Sequence, residues 1–136
     1  MKFDFKNKKI LITGASGGIG KTLSKKFIEM QSTIIFTSSN QNTLNDLKNS
    51  FGTEHLYYFL DLLDSSSIKD KSEQIASENK DIDILINNAG ITKDNLILRM
   101  KPDEWNDVIK VNLTSNFYII KSILSNMIKK RYGKII

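Results

Sequence analysis

Apolar positions along the chain recur with two alternating periods. Lys9 to Thr13 is a short apolar run between polar residues and reads as a buried strand. After a glycine-rich loop, Leu23, Phe27 and Met30 fall at helical spacing. Ser32 to Ser39, "STIIFTSS", is β-branched and predicts a second strand. "NTLNDLKNSF" predicts a short helix capped by Asn42 or Thr43. "HLYYFLD" predicts a third strand ending in Asp61. "SSSIKDKSEQIASENK", after Asp64, predicts a serine-capped helix with few apolar residues. "DIDILINNAG", Asp81 to Gly90, predicts a fourth strand running into a turn. Beyond a polar loop stands Pro102, the only proline, in a position that suits the first turn of a helix. From there Trp105, Val108, Ile109, Leu113, Phe117, Ile120, Leu124 and Met127 form one long amphipathic stripe that needs a sheet against it. Gly133 reads as its stop, and "KII" opens a fifth strand.

Strand and helix alternate throughout, and the strands are apolar almost without interruption. That is the signature of an α/β fold: a doubly wound parallel sheet with helices on both faces. No repeat, low-complexity tract or linker interrupts it, so residues 1–136 read as a single domain.

Composition narrows the function. The chain has no cysteine, which excludes disulfides, thiolate metal sites and a cysteine nucleophile. No metal site is expected. The start, "MKFDFKNKK", lacks the apolar core of a signal peptide, and no run approaches the roughly 18 apolar residues of a membrane span. A cytoplasmic location without a membrane partner is the expectation. The net charge of +5 could attract an anionic partner, but the lysines are scattered, and no nucleic-acid partner is expected.

The chemistry concentrates in "ILITGASGGIGKTL", Ile10 to Leu23. Gly20-Lys21-Thr22 resembles the end of a triphosphate loop, G-x-x-x-x-G-K-[ST], but that frame needs a glycine where Ala15 stands. The frame T-G-x-x-x-G-x-G is met in full by Thr13, Gly14, Gly18 and Gly20. In a dinucleotide loop of this kind, Gly14 would turn the chain off the strand, Gly18 would admit a phosphate, and Gly20 would let the helix approach the strand. The helix N-terminus would offer free N–H groups to a pyrophosphate. Lys21 fits equally as a solvated residue of the first turn. Asp61 fits as a loop cap, and Asn87 and Asn88 as ties between strand ends.

Together with "NNAG" at Asn87 to Gly90, this loop resembles the short-chain dehydrogenase/reductase family. The stretch "NNAGITKDNLILRM...EWNDVIKVNLTSNF...MIKKRYGKII" is similar to the 3-oxoacyl-acyl-carrier-protein reductases of fatty acid synthesis within that family. The resemblance covers the whole chain and about the first half of the family's usual length. It implies a Rossmann-type sheet, truncated here within its fifth strand, and an oxidoreductase passing hydride from a nicotinamide to a ketone. It implies that Gly14, Ala15, Ser16, Gly17, Gly18, Ile19 and Gly20 cradle the pyrophosphate and the adenosine ribose. Asp61 would bond the adenine amino group, and the backbone of Leu62 would meet the ring. Asn88, Ala89 and Gly90 would line the ribose and nicotinamide side. Asn112 matches the family's catalytic asparagine, whose carbonyl holds a water of a proton relay. Its position on the apolar stripe implies a bonded amide, since an unbonded one is costly there.

The family's acid pair is Tyr-x-x-x-Lys. Tyr57, Tyr58, Tyr118 and Tyr132 are followed four residues on by Asp61, Leu62, Ser122 and Ile136, so none supplies it. His55 opens a strand without an obvious carboxylate partner and reads as a surface residue. The chain is therefore expected to be an inactive, cofactor-binding part. The second strand ends "FTSSN" without an acid, which favours NADPH over NADH, with Ser39 beside the 2′-phosphate. Gly17 stands where many NADP-using relatives carry a basic residue, which weakens that preference. The resemblance also implies an acyl carrier protein bearing a 3-oxoacyl thioester as partner, with Arg131 as a contact, and a homotetramer at full length. Lys129, Lys130, Arg131 and Lys134 close the long helix, where cations also complement its dipole.

Overall fold

The structure, a computed structural model, describes residues 4–136; residues 1–3 of the N-terminal stretch read above lie outside the described residues. Five strands form one parallel sheet in the order β3-β2-β1-β4-β5. They are β1 (Lys9–Ile12), β2 (Thr33–Ser38), β3 (Leu56–Phe59), β4 (Ile84–Ile86) and β5 (Lys134–Ile135). The helices are α1 (Gly18–Glu29), α2 (Gln41–Phe51), α3 (Ile68–Glu78), α4 (Pro102–Ile109) and α5 (Ser115–Lys130), with a π turn at Lys110–Thr114 joining the last two. The α/β doubly wound class expected from the pattern is the observed one.

Alternation along the strands builds two cores. Ile10, Ile12, Ile34, Phe36, Ile84 and Ile86 pack on one face with Leu47, Leu23 and Phe27. Leu11, Ile35 and Leu85 pack on the other with Ile75, Ile119, Ile123 and Met127. Each such side chain, fully buried, contributes roughly 1.5–3 kcal/mol. At the sheet's lower edge, Lys130 Nζ donates to the Ile82 carbonyl at 2.8 Å and to Asp83 Oδ1 at 3.1 Å, which locks the end of α5 to β4.

Four expectations are corrected. The cap of α2 is Asn40, whose Oδ1 accepts from the N–H groups of Asn42 and Thr43; the helix begins before the residues singled out as its caps. His55 is buried, not on the surface: its ring meets Phe36 edge-on, and Nδ1 accepts from the Ile34 N–H at 3.4 Å. The stripe through Trp105, Leu113, Phe117 and Leu124 faces outward, each 40–64% exposed, while Val111, Ser115, Ile119, Ile123 and Met127 face the sheet. The π turn adds a residue between α4 and α5, so a stripe begun on one helix does not continue on the other. Finally, α5 ends at Arg131 in the left-handed conformation (φ 54°), not at Gly133. The Tyr132 N–H returns to the Met127 carbonyl and the Arg131 N–H to Ile128, closing a Schellman motif. Gly133 is needed for space instead, because a Cβ there would run into Met127.

Candidate functional site

The order of the strands creates the site. From β1 the chain winds outward through β2 to β3, then crosses back to place β4 on the other side of β1. Loops leaving β1 and β4 therefore diverge and open a crevice at their carboxyl ends, where α/β sheets bind ligands. A cleft of about 400 Å³ lies there.

Its first wall is the glycine loop. Gly14 has φ 65°, and a Cβ on it would come within 2.8 Å of Ala89 Cα. A Cβ on Gly20 would come within 2.5 Å of the Gly14 carbonyl. These two glycines are required by the protein's own packing. Gly18 differs: a Cβ there would meet nothing within 4 Å, so the space beside it is open. Gly18 also begins α1. That helix has no side-chain cap and no acid in its first turn, so its first N–H groups have no intrahelical acceptor and face the cleft end. This is a cradle for an anionic group. Lys21 is exposed on the same turn.

Thr13 and Asn88 join the two walls. Thr13 Oγ1 accepts from the N–H groups of Asn88 at 3.1 Å and Ala89 at 3.0 Å. Asn88 Nδ2 donates to the carbonyls of Thr13 and Gly14 at 3.0 and 2.9 Å. Both amide hydrogens of Asn88 are thus engaged in tying the loops together. Asn87 makes its tie to β5, donating from its N–H to the Ile136 carbonyl at 2.8 Å.

The far end of the cleft is lined by Thr37, Ser38 and Ser39 from β2 and by Leu60, Asp61, Leu62 and Leu63 after β3. Asp61 Oδ1 accepts from the Leu63 N–H at 2.9 Å, which orients the carboxylate; no bond is made to Oδ2 among the described residues. Ser38 Oγ accepts from the Asn40 N–H. Ser39 is exposed.

Asn112 sits in the π turn, exposed rather than buried in the stripe. Its amide is satisfied nonetheless. Oδ1 accepts from the Ile91 N–H at 2.9 Å, and Nδ2 donates to the Ile91 carbonyl at 3.0 Å. Its own carbonyl accepts from Asn116 Nδ2 at 2.9 Å.

The structure thus brings together Gly14, Ser16, Gly17, Gly18, Ile19, Gly20, Ser39, Asp61, Leu62, Asn88, Ala89 and Gly90 along one cleft. It leaves out two of the candidates. Ala15 is fully buried in the core beneath the loop, and Asn112 stands behind the cleft wall, against Gly90 and bonded to Ile91. Thr13 was not singled out for its hydroxyl. A threonine ending an apolar strand is the available signal, since a buried hydroxyl must find partners. Ile91, Val111 and Leu63 also line the cleft, and no pattern in the sequence marks them.

Among the described residues, Asp61 is the only ionisable one lining the cleft. The tyrosines lie elsewhere. Tyr57 donates to the Gly52 carbonyl and Tyr58 to Glu78, and burial pushes both phenols up, away from the range useful for acid catalysis. Tyr132 is covered by Lys8 Nζ at 4.2 Å from the ring centroid. The arrangement can bind and orient an anionic, polyhydroxylated ligand. Among the described residues no cluster of His, Asp and Glu could hold a metal, and no helix is long and apolar enough to cross a membrane.

The short chain dehydrogenase family model matches residues 8–136, and the chain belongs to that family. More particularly, it is 41% identical over 132 residues to the 3-oxoacyl-[acyl-carrier-protein] reductase FabG of Salmonella typhimurium, covering 97% of this chain and 54% of the relative. To the reductase of the same name from Escherichia coli it is 40% identical over 133 residues, covering 98% and 54%. To that of Buchnera aphidicola from Schizaphis graminum it is 46% identical over 134 residues, covering 95% and 53%. A short-chain dehydrogenase from Streptomyces avermitilis superposes with a TM-score of 0.85 at 23% identity over 95% of this chain and 47% of that one, which establishes a shared fold. The chain spans about half the length of the relatives it matches.

Proposed function

We propose that the chain is the cofactor-binding part of an NADPH-dependent 3-oxoacyl-acyl-carrier-protein reductase. The observation that carries this is the glycine loop: two glycines fixed by the protein's own packing, and a third, Gly18, beside open space at an uncapped helix N-terminus. The donors fit a pyrophosphate. Gly18, Ile19 and Gly20 offer it backbone N–H groups, while the Gly17 N–H is spent on the Gly14 carbonyl. Asp61 Oδ2 is free to accept from the adenine amino group. Ser39 donates to a 2′-phosphate, and β2 ends without an acid of its own to repel it. When bound, the nicotinamide supplies the hydride. Asn112 holds Ile91 against that end of the cleft.

Full reductase chemistry needs an acid–base pair, and among the described residues lining the cleft Asp61 alone is ionisable. That favours a second reading of these 136 residues as a nucleotide-binding module without turnover of its own. Hydride transfer from NADPH to a 3-oxoacyl thioester by this polypeptide alone would overturn it.

Cofactor choice is tested by Ser39→Asp. In nucleotide titrations of the chain, the substitution should weaken NADPH relative to NADH by about tenfold or more through repulsion of the 2′-phosphate. An unmoved ratio removes Ser39 from the site.

The carrier protein is the proposed partner. Arg131 is exposed and makes no ion pair among the described residues, whereas Lys130 is tied to Asp83 and is not available. Arg131 presents a planar fork suited to carboxylates. In a reductase of the relatives' length carrying this segment, Arg131→Glu should weaken turnover of carrier-bound substrate through KM and in a salt-dependent way. A small thioester should be turned over unchanged; an equal loss on both substrates would reject the docking role. The outward face of α5 fits the proposed homotetramer.

A further inference from the structure

The turn that carries Asn112 is where the long helical segment leaves α register. The Ser115 N–H reaches the Lys110 carbonyl, one residue further back than an α-helix allows. Such turns are found mostly at functional sites. Immediately past it, two consecutive carbonyls accept from side chains four residues on. Ser115 Oγ donates to the Val111 carbonyl at 2.6 Å, and Asn116 Nδ2 to the Asn112 carbonyl at 2.9 Å. Asparagine is a poor helix-interior residue, and Asn116 also leaves its Oδ1 buried without a partner. Neither propensity nor burial explains an amide here. The Asn112 carbonyl does, because the peptide it belongs to carries the clamp on Ile91. Ile91 and Gly90 line the cleft, and the Asn112 amide lies within 3.4 Å of where a Cβ on Gly90 would stand.

We propose that Asn116 is a positioning residue of the candidate site. Its amide fixes the Asn112 peptide at the π turn, and through the Asn112 clamp it sets the cleft wall at Gly90 and Ile91. The role depends on the cleft being a nucleotide site only for its second readout below.

The test compares Asn116→Leu with Asn116→Ser in this chain. Leucine keeps the branching at Cγ and favours helix but has no donor. Serine restores a donor, and serine hydroxyls already bond the carbonyl four residues back at Ser24 and Ser115. The first readout is hydrogen exchange at the Ile91 amide, followed by NMR. In Asn116→Leu it should quicken by about fivefold or more, the loss of one net hydrogen bond. In Asn116→Ser it should stay near the parent rate. Global stability in urea should hold or rise in the leucine variant, because the orphaned Oδ1 is gone; a purely structural asparagine would move it the other way. The second readout is the NADPH titration, which should weaken in the leucine variant and recover in the serine one. If Ile91 exchanges alike in parent, leucine and serine variants, the proposal is wrong. Should leucine prevent folding, Asn116→Ala is the donor-free member of the pair. A parent that shows no NADPH-induced shifts would sink the nucleotide function, while the Ile91 contrast would still decide the role of Asn116.

Discussion

The two flanks of the sheet are finished differently. On the β3–β2–β1 flank, Phe36 is stacked between Phe51 at 5.3 Å and Tyr57 at 5.1 Å, and Ile34 and Ile35 are fully buried. On the β4–β5 flank, Ile135 is 40% exposed, and the π turn and α5 turn Leu113, Phe117, Leu124 and Ile128 outward. An apolar row of that length on a surface marks a place for other protein. The cleft takes one wall from each flank. The glycine-loop wall is fixed by backbone packing at Gly14 and Gly20, while the opposite wall is held by hydrogen bonds, to Thr13 and Gly14 at Asn88 and Ala89 and to Asn112 at Ile91. Under the proposed function, the finished flank would hold the phosphates and the adenosine end through Ser39 and Asp61, and the other flank, through Asn88 to Ile91, the nicotinamide end.

The sharpest way to break the comparison is within α5. Ile123 faces the sheet and Leu124, its neighbour, faces out. Ile123→Ala should cost about 2–5 kcal/mol in urea unfolding, the range for emptying a packed core site. Leu124→Ala should cost less than about 1 kcal/mol, as for most surface changes. The pair Phe117→Glu and Leu124→Glu should abolish self-association in sedimentation experiments without unfolding the chain; equal oligomeric state in parent and variant would reject the outward face as an interface.

The glycine loop allows a similar contrast. Gly20→Ala should destabilise by about 1–3 kcal/mol, because the atoms it meets are backbone and cannot swing away. Gly18→Ala should change stability by less than about 1 kcal/mol and yet weaken NADPH binding, since its space is open for a ligand. Arg131→Gly should stabilise by about 1 kcal/mol by relieving the left-handed conformation.

The smallest effects are on pH. Burial holds the His55 imidazole below its ordinary 6.5. The unfolded chain then binds a proton that the folded one refuses, so His55 contributes stability above pH 6.5 that is lost as pH falls through the window below it. Protonation would also place a hydrogen on Nδ1 against the Ile34 N–H. Asp64 acts at lower pH: hydrogen bonds from Ser66 and Ser67 hold it at about 2, so its contribution is present above 3.8 and fades as pH falls toward about 2. His55→Gln should flatten the slope below pH 6.5 in stability measured against pH; an unchanged slope would place the titration elsewhere.

Local patterns carried β1, β2 and the glycine loop, because apolar period and glycine spacing are written within a dozen residues. The buried face of α5 was not legible. Apolar residues stand on both faces, Ile119, Ile123 and Met127 inward and Phe117, Leu124 and Ile128 outward, and periodicity cannot choose between them. The π turn shifts the register between α4 and α5 without any local mark. His55 reads as polar and solvated in sequence. Its burial follows from Phe36 and the Ile34 N–H, both supplied by the neighbouring strand. Of the site, the loop glycines were legible as a motif, but which of them face the ligand and which face the protein emerges only from where Ala89 and the Gly14 carbonyl lie.

The most direct test of the central claim is an amide NMR titration of the chain with NADPH at millimolar concentration. Shifts should concentrate at Gly14, Gly17 to Gly20, Ser39, Asp61, Leu62, Ala89 and Gly90, and Gly18→Ala should diminish them together. No shifts at that concentration, or shifts centred on Arg131 to Lys134 and away from the glycine loop, would contradict a dinucleotide site between β1 and β4.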